Sequence, residues 1–403
     1  MFFVGIDWAD DHHDVVVIDE QAKQCDSFRI KHAHQGFTTL EERLKSLTCD
    51  PANIACIIET SNGLLVSFLL DKGFSVYPVN PSTLERKRKP SKAKTDAIDA
   101  RLLARHGRNE IDELRQLKPD SPIVEELKVL TRDQATLIEQ QTRLINQLKN
   151  CLKSYYPVAL KFFNRLHQKV TLAFLETYPT LEHVRQDQPQ NIARFLKNQK
   201  HPRPNEAAQK IYTLALEEQL KARIPTVRGK VRLLLTLIRQ LKILMQDIDE
   251  YDKEIEKLFF DHTDSAIFIS LPGAGPRLAP RLLSEFGDDR SRFQNYESIT
   301  SLSGVAPVPK KSGKNTFTVG KRTAYVKPFH QALYHLARQT SLYEPWSKKY
   351  YKSKRAQGKS HSATIRQLAN VWCGIIFGMW KNNESYNPGK FLAARQKHKL
   401  RAA

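Results

Sequence analysis

Four carboxylates in the first hundred residues stand where their chemistry is conspicuous. Asp7 interrupts the apolar run FFVGID, and Glu59 closes the apolar run IACIIET. Asp is depleted in strands, and a buried carboxylate without a compensating partner is costly. Asp96 and Asp99 lie three apart in KTDAIDARLLARHGR, a helical pattern that projects both from one face. If the strands carrying Asp7 and Glu59 are neighbours and that helix crosses their ends, the four acids converge. Such a cluster repels itself unless cations neutralise it. Mg²⁺ suits an all-oxygen ligand set, and two such ions about 4 Å apart can clamp an in-line displacement at phosphorus. The same residue types also serve as strand-end caps and, in D-x-x-D, as a solvated helix face.

A second set lies towards the other end. In SLPGAGPRLAPRLLSEFGD, the turn through Gly273 and Gly275 precedes a helix beginning near Arg277. Such a turn offers backbone N–H groups to a phosphate. It reads as a helix-hairpin-helix-like reader of the DNA backbone or, equally, as an ordinary interhelical turn. Further on, LSGVAPVPKKSGKN contains Ser303 and Ser312, the latter beside Gly313 and among Lys310, Lys311 and Lys314. Neighbouring cations ease formation of an alkoxide and can hold a phosphate. Lys-Ser-Gly-Lys is also a common exposed turn.

The elements that must position these residues are legible in outline. FFVGID, DVVVID and SFRI predict three strands, QGFTTLEERLKSL a helix, IACIIET a strand buried on both faces, NGLLVSFLLDKG a helix closed by Gly73, and FSVYPV a fifth strand. With the helix of Asp96 and Asp99 the order is βββαβαβα. That is the order of a ribonuclease-H-like mixed sheet, an analogy of topology. From about Pro122 the pattern changes to long helices. Leu130, Leu137, Leu144 and Cys151 recur every seven residues, although Gln134 and Gln141 interrupt the seam. Leu234, Leu241, Ile248 and Ile255 fall at one heptad position, and Leu237, Leu244, Tyr251 and Leu258 at the other, a coiled-coil signature. The expected organisation is a catalytic domain over 1–115 and a coiled-coil domain over 116–262, with a small helical insertion at 154–205. A mainly helical C-terminal domain over 263–403 follows, with helices around 328–341 and 361–381.

The chain has 403 residues, 40% of them hydrophobic, which is enough for real cores. Lys and Arg outnumber Asp and Glu by 64 to 43, giving a formal net charge of +21. An excess of that size favours a polyanionic partner. No apolar run approaches the ~18–20 residues needed to span a bilayer, so no membrane role is expected. Five scattered cysteines with no CxxC pair indicate neither zinc nor a disulfide framework, and a reducing prokaryotic cytoplasm is the expected setting.

GIDWA, IIET and KTDAIDA, in this order and spacing, resemble the N-terminal domain of the DEDD transposases of the "IS one-ten" insertion-sequence family, which includes an "IS one-eleven-eleven" branch. PGAGP, SLSGVAPVP and KKSGK resemble the C-terminal domain of the same family. The resemblance covers most of the chain. It implies a RuvC-like, metal-dependent N-terminal domain whose tetrad falls on Asp7, Glu59, Asp96 and Asp99. It also implies a serine nucleophile that forms a phosphoserine link to DNA. The match is Ser312, with Ser303 as the fallback, because this chain has Lys311-Ser312 where many members show two serines. The partners it implies are donor and target DNA, a guide RNA of the bridge type, and further copies of the chain, as dimers assembling into a tetramer on DNA. The two motif sets lie about 210 residues apart, with the heptad helices between them. A four-heptad seam favours a partner helix: either protomers pair, so that the acids of one meet Ser312 of another, or the seam closes an intramolecular helical hairpin. Two other classes of function fit the composition: a hydrolytic RuvC-like nuclease or junction resolvase, and a non-catalytic nucleic-acid scaffold.

Overall fold

A computed structural model describes residues 1–79, 95–312, 315–319, 322, 325–390 and 393. These residues separate into two compact units, one made of 1–121 with 289–330 and the other of 122–288 with 331–403.

The first unit is built on a five-stranded sheet. Its strands are β1 (Phe2–Trp8), β2 (His12–Ile18), β3 (Gln24–Lys31), β4 (Ile54–Ile58) and β5 (Ser75–Pro78), in the spatial order β3-β2-β1-β4-β5. β1 pairs antiparallel with β2 and parallel with β4, so the strands that carry Asp7 and precede Glu59 are neighbours, the condition for the acids to converge. Alternation along each strand sends side chains to opposite faces. Val4, Ile6, Val15 and Val17 face helices α1 (His34–Lys45) and α2 (Leu64–Asp71). Phe3, Val16, Ala55 and Ile57 face helix α3 (Asp96–Glu110). All five residues of β4 are buried, because both faces are covered there. This mixed sheet is consistent with the ribonuclease-H-like domain expected from the element order.

α3 lies unusually close to the sheet. A side-chain carbon at Gly5 would overlap the Ala100 carbonyl oxygen and lie 2.5 Å from the Ala104 nitrogen. At the far end of the helix, Gly107 makes the same kind of room for Ile57. The small residues on both sides of this contact are what bring the start of α3 over the end of β1.

The segment 289–330 belongs to this unit. Arg292 pairs with Asp120 at 2.9 Å, and Arg115 donates to the Arg292 carbonyl at 2.8 Å while its guanidinium lies 4.3 Å from the Phe293 ring centre. Burial, and then the charge of Arg292, push Arg115 down to about 10. Asn295 caps the helix Tyr296–Leu302, and a hairpin follows, β6 (Val308–Ser312) with β7 (Asn315–Val319). Two strands therefore stand where the sequence reads as a Lys- and Gly-rich loop.

The second unit is helical. Its long helices α4 (Pro122–Lys153) and α10 (Ile224–Asp261) pack along each other. The heptad residues Leu234, Leu241, Ile248 and Ile255 of α10 are buried, as are Leu237 and Leu244. Within the chain, the partner of this seam is α4. Five short helices, α5 to α9, occupy 159–216 and gather Tyr156, Phe162, Phe174 and Tyr178 into an aromatic core. Later come α11 (Ser265–Ile269), α12 (Gly275–Phe286), α13 (the Tyr296–Leu302 helix of the first unit), α14 (Lys327–Tyr343), α15 (Pro345–Ala356) and α16 (His361–Asn382). α14 and α16 match the two expected helices, and α15 is additional. Among the described residues, no helix is long and apolar enough to cross a membrane.

Candidate active site

The acids are positioned by strand ends and by one helix start. Asp7 is the last but one residue of β1, Glu59 follows β4 directly, and Asp96 and Asp99 occupy the first turn of α3. Thr95 caps that helix by accepting the Ile98 N–H at 3.3 Å, which fixes where the first turn begins. The helix N-terminus is also the end that tolerates negative charge. Parallel pairing of β1 with β4 places both strand ends at one edge of the sheet, and the Gly5 contact lays α3 across it.

Electrostatics shows the convergence. Asp7 is half-buried, and its carboxyl is pushed up to about 6, first by burial and then by the charges of Asp99, Glu59, Asp96 and Asp14. The whole tetrad therefore acts on Asp7, together with a fifth acid. Asp14 sits directly across from Asp7 in the β1–β2 register and is buried. Arg29 of β3 grips it with two hydrogen bonds of 3.2 and 2.7 Å, and reaches Asp96 at 3.4 Å. His12, on the same face of β2, brings Nε2 to 3.6 Å from Asp96 and pairs with Asp11 through Nδ1 at 2.5 Å. The candidate ligand atoms of His12, Asp14 and Asp96 lie within 4.8 Å of one another. His13 points to the other face, beside His32 at 2.8 Å. Burial, and then His32, push it down to about 4, so it is neutral.

Sequence reasoning missed His12, Asp14 and Arg29. The signal available was parity: in an antiparallel pair entered by a short turn after Asp7, residue 14 returns to the same face. The donor set is hard oxygen with one imidazole nearby. It fits a divalent cation, because burial and then the charges of the neighbouring acids hold Asp7 well above the ordinary carboxylate range.

The remaining sequence candidates lie elsewhere. Ser312 ends β6, its backbone paired with Asn315, while Lys310 and Lys311 pair with Phe317 and Thr316. The side chains of Lys310, Lys311 and Ser312, and all of Lys314, lie outside the described residues. Ser303 is fully buried at the end of α13, and its hydroxyl donates to the Thr300 carbonyl at 3.3 Å. Gly273, in the turn before α12, and Gly275, its first residue, both have positive φ, at 74° and 59°. Arg277 is committed to Asp252, with Nε donating to Oδ1 at 2.8 Å and Nη2 to Oδ2.

Residues 4–157 match the family described as the DEDD transposase of IS110, and residues 265–352 match the transposase IS116/IS110/IS902 family. A protein of the IS117 mini-circle of Streptomyces coelicolor is 31% identical over 401 residues, covering 97% of this chain and 96% of its own. The chain belongs to this transposase family. The 44.8 kDa protein of insertion element IS116 from Streptomyces clavuligerus is 27% identical, with 96% of each chain covered. The 42 kDa protein of IS900 from Mycobacterium paratuberculosis is 24% identical over 97% of this chain and 98% of its own. The transposase is thus an enzyme acting on DNA, and its DEDD domain and clustered acids point to a divalent cation.

Proposed function

We propose that the transposase cuts and rejoins DNA strands in a composite site. Asp7, Glu59, Asp96 and Asp99 hold Mg²⁺, as two ions, and Ser312 is the nucleophile. The observation that carries this reading is the convergence of the tetrad on Asp7, whose carboxyl is raised to about 6 by burial and then by its three fellow acids among its neighbours. Bound Mg²⁺ supplies positive charge for the scissile phosphate and for the charge that develops on it.

In the step itself, the Ser312 hydroxyl gives its proton to a site carboxylate as Oγ bonds to phosphorus. The bond from phosphorus to the leaving sugar oxygen breaks, and that oxygen takes up a proton. The phosphoserine ester keeps the phosphate activated, so a second sugar hydroxyl can displace the serine and complete an exchange without hydrolysis. One observation supports Ser312 over Ser303: Ser303 is fully buried, its hydroxyl donating to the Thr300 carbonyl.

Gly273, Gly275, Arg277, Lys310, Lys311 and Lys314 serve nucleic-acid contact in this reading. The net charge of +21 suits a guide RNA as well as donor and target DNA, with base pairing choosing the sequence. Protomers act as dimers that form a tetramer on DNA, the acids of one working with Ser312 of another. Because α4 covers the α10 seam within the chain, pairing would use outward positions such as the exposed Val129, Leu233 and Ile243.

Incubation with recombination-site DNA, guide RNA and Mg²⁺, followed by denaturing electrophoresis, tests the chemistry. A protein–DNA adduct is expected, lost in Ser312→Ala and in Asp7→Ala. Cleavage that survives Ser312→Ala assigns the protein to hydrolytic nucleases instead. Mixing the two inactive variants restores the adduct only if the site is shared between protomers.

A further inference from the structure

The helical unit contains a cavity of about 580 Å³ beneath the Gly273–Gly275 turn, with Asp252, Glu256, Arg277, Arg281, His335 and Gln339 among its walls. Its two acids and two arginines are unevenly paired. Asp252 is taken up by Arg277, which binds both of its oxygens, and by Gln134, whose Nε2 donates to it at 2.7 Å. Arg281, one helical turn beyond Arg277, receives only the neutral amide of that glutamine, its Nη2 donating to Gln134 Oε1 at 2.9 Å. Among the described residues, the buried Arg281 Nε has no hydrogen-bond partner, and no carboxylate stands within ion-pair distance of Arg281. Glu256 lies exposed on α10, one turn past Asp252.

A guanidinium cannot shed its charge at physiological pH, and a buried charge without a counterion is strongly unfavourable. Burial, and then Arg277, hold Arg281 below the usual arginine range. The fold nevertheless places this residue in the wall of a cavity. In the first turn of α12, Pro276 has no N–H and Leu278 donates to the Ala274 carbonyl, which leaves the N–H groups of Gly275 and Arg277 without an acceptor within the helix. Gly273 comes so close to Gln339 that a side-chain carbon there would meet its Cβ at 3.2 Å, so the turn closes tightly over one end of the cavity.

The geometry points to a phosphodiester-binding site centred on Arg281, the cavity admitting a nucleotide of a nucleic-acid strand with its phosphate against the guanidinium. The planar fork of arginine matches phosphate oxygens, and the volume lies within the ~300–1,000 Å³ range of small-molecule sites. A strand is the fitting source of the phosphate, because the protein is a DNA-acting enzyme of net charge +21. This inference rests on the nucleic-acid reading of the turn and moves its centre from Arg277, already neutralised by Asp252, to Arg281.

The test is fluorescence anisotropy of the full-length chain with a short labelled oligonucleotide, as DNA and as RNA of the same sequence, across a salt series. Arg281→Gln should weaken binding about tenfold at ~0.1 M salt and lower the log–log salt slope by about one. A loss with either strand supports the assignment and names its source. Normal binding by Arg281→Gln with weakened binding by Arg277→Gln overturns the assignment to Arg281 while leaving the turn as a nucleic-acid contact. Normal binding by both removes the turn from the interface altogether. If thermal melting shows Arg281→Gln to be unfolded, Arg281→Lys decides. It keeps the charge and loses the fork, so at least about threefold weaker binding supports the site and unchanged affinity overturns it.

Discussion

Replacing Gly5 by alanine puts the placement of α3 to a direct test. The added methyl would overlap the Ala100 carbonyl oxygen and sit 2.5 Å from the Ala104 nitrogen, both backbone atoms that cannot rotate away. An ordinary contact is about 3.5 Å, so relieving the overlap requires α3 to retreat by about 1.5 Å or the strand to bend by as much. Overpacking of this kind costs about 1–3 kcal/mol, of which the lower backbone entropy of alanine returns about 0.5–1 kcal/mol. The larger effect is on the site. Asp99 immediately precedes Ala100, and Asp96 lies one turn earlier, so both move relative to Asp7 when the helix does. A displacement of about 1 Å in a catalytic array lowers rates by about a hundredfold. Titration with Mn²⁺ followed by electron paramagnetic resonance, melting curves and strand cleavage should therefore show weaker cation binding, a melting temperature lower by about 3–6 °C, and about a hundredfold slower cleavage. Gly229→Ala is the control: it lies on α10 with open space around it, and should be neutral or slightly stabilising. Cation affinity and melting equal to those of the unmodified chain would refute the seating of α3 on Gly5 and, with it, the account of how the acids meet.

Two further outcomes follow from the electrostatics. With Asp7 at about 6 when folded and at the ordinary 3.8 when unfolded, the native chain holds a proton that the unfolded chain has lost between those values. Stability of the metal-free protein should fall as pH rises through that window, and the dependence should flatten in Asp7→Asn; denaturant unfolding in chelator between pH 4 and about 7 measures it. Divalent-cation affinity should rise over the same interval and level off above about pH 6, because cation and proton compete for Asp7. Arg29→Ala leaves Asp14 and Asp96 without their bridging guanidinium, so the metal-free protein should melt lower and gain more from added Mg²⁺ than the unmodified chain does. Equal melting shifts in both proteins would show that Arg29 plays no part in the charge balance of the site.

Residue types and local periodicity determined the components. Asp7, Glu59, Asp96 and Asp99 are legible because carboxylates at strand ends and on one helix face contradict the patterns around them. The strand and helix order of the first unit, the buried β4 and the heptads of α10 are legible because each depends on neighbours within a turn or two. Other features depend on pairing across distance. Asp14 joins the site only through the β1–β2 register, and Arg29 only through the next register beyond it, Asp14 opposite Arg29. Gly5 reads as an ordinary strand glycine until α3 is laid against it. The α10 seam announces a partner helix without naming it, and the structure supplies α4, whose buried Gln134 is explained by Asp252 and Arg281 rather than by a weak seam. Pro309 and the lysines hide β6, since a strand signal needs alternation and tolerates proline poorly. Arg277 and Arg281 are equivalent in a linear reading, being one turn apart on one helix. Only the fold pairs the first with a carboxylate and leaves the second facing a cavity, because the charge left over is decided by which helices meet.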